Sequence, residues 1–60
     1  MEYSYRILND VDPHSYALLF VLQKRQVARH RVGYWQVVKV YFEHQKELAY
    51  RTLEHLEGKV

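Results

Sequence analysis

Three kinds of side chain in this sequence could do chemistry: histidines, aliphatic hydroxyls and a cluster of bases. The histidines are His14, His30, His44 and His55. A zinc site needs three or four ligands converging on one ion. No His-Glu-x-x-His or Glu-x-x-His spacing occurs, and there is no cysteine. On a helix, His44 and His55 would stand about three turns apart, too far for one ion. They read as surface or interface side chains, and neither a metal nor a cofactor is expected. The hydroxyls are Ser4, Ser15 and Thr52. A nucleophile needs a base and an orienting group beside it, and two glycines cannot build a phosphate-cradling loop. Ser15 sits beside a helix start and Thr52 on an apolar helix face. No catalytic residue and no small-molecule substrate is expected, and the protein reads as non-enzymatic.

The bases are more informative. Positions 13–42 hold no acid and five bases, Lys24, Arg25, Arg29, Arg31 and Lys39, although the whole chain is only +2. The acids lie at either end, Glu2, Asp10 and Asp12 before this zone and Glu43, Glu47, Glu54 and Glu57 after it. A segregated basic zone attracts anionic partners through its field. Arg6, Lys24, Arg25, Arg29 and Arg31 are therefore the candidate contacts to nucleic acid or another anion, since arginine forks match phosphate geometry. Solvated arginines whose stems cover apolar surface are the competing reading.

The elements that must position these groups are read from punctuation and period. Asp12 before Pro13 offers a capping carboxylate followed by proline at a first helical position. Val11 and Tyr16 stand at the two positions of a hydrophobic staple. Gly33 suits a C-terminal cap, so a first helix is predicted over 13–31. From Tyr34 onward the strand-loving residues Tyr34, Trp35, Val37, Val38, Val40, Tyr41 and Phe42 run without a turn signal into strong helix formers. At about 100° per residue, Tyr34, Trp35, Val38, Tyr41, Phe42, Ala49, Leu53 and Leu56 share one side. A second helix is predicted over 34–57, ended by Gly58. Residues 1–12 are expected to be an extended arm, because Tyr3, Tyr5 and Ile7 alternate with Ser4 and Arg6.

The expected fold is therefore all-α: a two-helix antiparallel hairpin with a short extended N-terminal arm, in a single domain. A chain of 60 residues buries only about 60% of its unfolded surface, and without cysteine the remaining device for stability is association. Leu18, Val21, Leu22, Val37 and Val40 lie off the core stripes. They are the expected interface of a homodimer, a four-helix arrangement, or of a protein partner. Residues 1–12 lack a basic segment followed by an apolar one. The longest apolar run, Tyr16 to Leu22, is far short of the roughly 20 residues of a membrane span. A cytoplasmic protein that binds no membrane is expected.

A short alternating strand before two helices resembles the ribbon-helix-helix family of DNA-binding dimers. That resemblance implies Glu2, Ser4 and Arg6 facing bases, and the residues near Gly33 touching phosphate. The whole chain, with its dense mixture of aromatics and charges, also resembles the small early-region accessory proteins of lambda-like temperate bacteriophages, which implies regulation by binding. The leading expectation is a regulatory or adaptor protein that self-associates and binds a protein partner; the alternative is a DNA-binding dimer.

Overall fold

The computed structural model describes residues 2–58, and it is mainly a β-sheet. Strand β1 spans Glu2–Val11, β2 Leu18–Ala28, β3 Arg31–Val32 and β4 Gln36–Phe42. A 3-10 turn over Glu43–Gln45 leads into one helix, α1, Lys46–Leu56. The sheet is antiparallel, with β2 in the centre. β1 lies along one side of β2, and β3 and β4 share the other. The helix packs across β1, β2 and β4 on one face only. The result is a thin plate whose Cα atoms span 40 × 27 × 11 Å.

The all-α expectation is thus wrong, and so are the helix over 13–31, the single helix over 34–57, the helical hairpin and the four-helix dimer built from it. The physical reasons are local. Asp12 and Pro13 open a turn: the Asp12 carboxylate accepts the His14 N–H at 2.9 Å, and the Tyr16 N–H donates to the Asp12 carbonyl at 2.8 Å. An Asx turn and an N-cap use the same short-range bond to a downstream N–H, so sequence does not separate them. Ala17 then turns the chain back, its carbonyl accepting the Asp12 N–H at 2.9 Å. The apolar run Leu18–Leu22 is greasy on both sides because β2 is the central strand. In the segment 34–42, β-propensity prevailed over an apparent helical period. Gly33, read as a helix cap, donates its N–H to the Gln26 carbonyl at 2.8 Å beside β2.

Tyr16 is the one described non-glycine residue with positive φ, 60°, and its ring is 82% exposed. The left-handed region costs an L-residue roughly 1–2 kcal/mol, which glycine avoids at some entropic cost. Tyr16→Gly should therefore raise stability by about 0.5–1 kcal/mol, a few degrees in a melting curve. A lowered melting temperature would show that the Tyr16 ring is held by contacts in solution.

Asp12 gives the loop a pH dependence. The His14 N–H bond, against a smaller desolvation effect and with help from Ser15, holds its carboxyl below the usual aspartate value. A depressed folded pKa contributes stability above the unfolded value, about 3.9, and that contribution is lost as pH falls through the folded value. The stability difference between the protein and Asp12→Ala should be full at neutral pH and shrink below about pH 4. A difference that persists unchanged at pH 2 would contradict the charged cap.

The core is small. Phe20, Leu22, Tyr41 and Ala49 are buried, with Ile7, Leu18 and Leu53 packed around them. Pairing explains the set: Ile7 lies opposite Leu22, and Tyr41 opposite Phe20, so these residues share the face under α1. Ala49 lets the helix approach closely, and the Tyr50 ring meets Phe20 edge-on at 6.1 Å. The Tyr41 hydroxyl donates to Thr52 Oγ1 at 3.3 Å, and Thr52 in turn donates to the Leu48 carbonyl. Beyond Leu56 the helix is closed at Gly58, whose φ of 73° and N–H bond to the His55 carbonyl form a left-handed cap.

Candidate functional site: an open apolar sheet face and a basic aromatic end

α1 covers one face of the sheet. The other face has no covering layer among the described residues. In β2 the residues on that side are Leu19, Val21, Gln23, Arg25 and Val27, alternating with those under the helix. β1 places Leu8 opposite Val21, and β4 places Val40 opposite Val21 and Phe42 opposite Leu19. A bulge between Leu22 and Gln23 leaves Val38 without a counterpart and brings Val37 opposite Gln23. Leu8, Leu19, Val21, Val37 and Val40, with the polar Asn9, Asp10 and Gln23 at its edges, line a shallow depression of about 490 Å³. Around it Leu8, Val37 and Val40 are exposed, to 40%, 59% and 43%, whereas Val21 at the centre is buried, with 8% of its surface exposed.

Of the five residues expected at an interface, the structure brings Val21, Val37 and Val40 together on this face. Leu18 and Leu22 are corrected: both point under α1, Leu22 with no exposed surface, so they belong to the protomer's own core. Leu8, Leu19 and Phe42 were missed. The alternation Val38, Val40, Phe42 about Lys39 and Tyr41 was the available signal, and it was absorbed into a helical reading.

The opposite end of the sheet is basic and aromatic. Arg6, Lys24, Arg25, Arg29 and Arg31, the candidate anion contacts, all lie there. Arg6 stands opposite Gln23, Lys24 opposite Tyr5, Arg25 opposite Ser4, and Arg31 opposite Ala28 across the turn that holds Arg29 and His30. The Arg6 Nε–H donates to Gln23 Oε1 at 2.7 Å. The Arg6 and Arg25 guanidinium carbons lie 4.0 and 4.5 Å from the centroid of the Trp35 ring, near enough for cation–π attraction. That ring, in the connection between β3 and β4, lies against two like charges. Arg25 Nε is buried without a hydrogen-bond acceptor. On the helix side, Lys24 Nζ stands 5.1 Å from the Tyr3 ring, and Tyr3 and Tyr5 are 6.5 Å apart.

Tyr34, beside Trp35, is 94% exposed. With Gln26, Ala28, Arg31, Val32 and Gly33 it lines an open cleft of about 630 Å³. Among the described residues no carboxylate pairs with any of the five bases. Trp35, Tyr3 and Tyr34 were not singled out from sequence as site residues; the signal was their nearness to the acid-free zone.

The remaining chemistry-bearing groups are dispersed. His14 is in the first loop, His30 in the β2–β3 turn, His44 stacks on Phe42 at 6.2 Å, and His55 is on α1. Among the described residues no three metal-ligating side chains converge. Ser15 Oγ accepts the Ala17 N–H at 3.3 Å. No described helix is long and apolar enough to cross a membrane. No protein-family model, curated protein or solved structure matches this chain.

Proposed function

We propose that this chain is a non-enzymatic binding protein of regulatory or adaptor type, and that it works as a homodimer closed through the open face of its sheet. The observation that carries this reading is the apolar face on which Leu8, Val37 and Val40 stand exposed around Val21. A sheet buries one face in its own layer and needs a second layer for the other when that face is apolar. That second layer is another copy of the chain.

The surface area supports that occupant. The chain exposes 5060 Å², whereas a compact monomer of its 7.4 kDa is expected to expose about 4,200 Å². The excess, roughly 850 Å² of polar and apolar surface together, leaves room for an interface of standard size, about 800 Å² per partner. Two sheets stacked face to face, about 10 Å apart, would join the Leu8, Val21, Val37 and Val40 clusters about a two-fold axis. The basic ends would lie away from that axis, since like charges repel across an interface.

Sedimentation equilibrium tests this. A species of twice 7.4 kDa at micromolar concentration is expected, with a melting temperature that rises with concentration. A folded 7.4 kDa species under the same conditions would overturn the reading. No ribbon-helix-helix geometry is proposed, because the strand–helix–helix order it requires is absent from the described residues.

A further inference from the structure

We infer that the basic aromatic end of the sheet is a binding site for single-stranded nucleic acid. The proposal goes beyond self-association and stands on different residues, none of them in the apolar cluster.

Arg6, Lys24, Arg25, Arg29 and Arg31 gather where β2 meets the end of β1 and the β2–β3 turn. From Gln23 to Ala28 β2 advances about 17 Å at 3.3 Å per residue, so five cations share a short stretch of sheet. No described carboxylate forms an ion pair with them, although Glu2 lines a depression with Arg29, and Arg25 Nε is buried without an acceptor. Repulsion between Arg6 and Arg25 is tolerated because both rest on Trp35. A polyanion would relieve it: arginine forks bind phosphate oxygens at two points, and each contact releases counterions.

The aromatic rings decide which polyanion. Tyr34 stands almost wholly in solvent and Trp35, against Arg6 and Arg25, is partly exposed, while Tyr3, with Lys24, is half-exposed on the helix side. An acidic peptide would use the arginines and leave the rings idle. Unpaired bases stack on such rings whatever their sequence, and a positively charged surface tracks the backbone beside them. In a duplex the base faces are already stacked on one another. Single strands are therefore the ligand, with little sequence preference.

The test is fluorescence anisotropy of a labelled oligothymidylate about 12 nucleotides long, within the reach of such surfaces. Quenching of Trp35, the only tryptophan, is followed in parallel. Binding should weaken with salt at a log–log slope of about −3, at about −0.7 per phosphate contact for four or five contacts. Arg29→Gln/Arg31→Gln should lose about tenfold or more in affinity and reduce the slope by about 1.4. Tyr34→Ala, at a position too exposed to disturb packing, should lose about tenfold while keeping the slope. Circular dichroism confirms the sheet in each variant. No anisotropy change at low salt, equal affinity for the matching duplex, equal competition by polyglutamate, or unaltered affinity in both variants would each overturn the proposal. Because Val37 and Val40 lie outside the site, a monomer that still binds the oligonucleotide would sink the dimer alone.

Discussion

Replacing Leu22 with alanine is expected to lower the melting temperature by about 15 °C, and at 37 °C to leave much of the protein unfolded. Leu22 has no exposed surface and stands at the centre of the only core cluster of the described residues, between Ile7 on β1 and Lys39 on β4 and beneath α1. Truncating a buried leucine costs about 2–5 kcal/mol, the transfer of the lost carbons plus the cavity left behind. A domain of this size has on the order of 3–9 kcal/mol in total. One side chain thus decides the fold. Thermal unfolding followed by circular dichroism measures the effect. A change of only a degree or two would mean that Leu22 is not under the helix.

The second large effect is on association. Val37→Glu/Val40→Glu should leave the protomer folded and convert the dimer to monomer, with the dissociation constant raised about a thousandfold or more. Both valines are exposed in the protomer, where substitutions cost little. In a dimer sealed through this face, each glutamate would be a buried unpaired charge, and each such charge costs several kcal/mol. Two substitutions per protomer act twice about a two-fold axis. At 1.4 kcal/mol per tenfold, a thousandfold is a conservative expectation. Light scattering over a dilution series reads it. An unchanged dissociation constant would move the interface elsewhere, with the long exposed edge of β1 the next surface to examine.

The contrast between Leu22 and Val40 shows where sequence reading succeeded and where it failed. Both were assigned to one interface, because a run such as Leu18–Leu22 is apolar on every side and suits a buried strand as well as a helix. In β2 the same residues alternate: Phe20 and Leu22 turn to α1, while Leu19 and Val21 turn to the open face. A helical wheel cannot make that division. The alternation of Tyr3, Tyr5 and Ile7 against Ser4 and Arg6 was readable as extended chain because polar residues interrupt it. Gly58 was readable as a helix end because a left-handed cap favours glycine in any context. Asp12 and Pro13 were not, since a turn and a helix start begin with the same bond.

The basic site was more legible than the fold. Arg6, Lys24, Arg25, Arg29 and Arg31 were grouped from charge alone, and they come together although every helix supposed to carry them is absent. Charge segregation survives an error in secondary structure because neighbours in sequence stay near in space on strands and helices alike. What charge could not convey was the role of Trp35, whose ring reaches Arg6 on β1 through the sheet pairing and not through proximity in the chain.

The central claim is that the uncovered face of this sheet is closed by a second copy. Isotope-filtered nuclear Overhauser spectroscopy on a mixture of labelled and unlabelled protein tests it most directly. Intermolecular contacts among the methyl groups of Leu8, Val21, Val37 and Val40 are the expected result. Intermolecular contacts confined to the backbone edge of β1, or none at all at millimolar concentration, would contradict it.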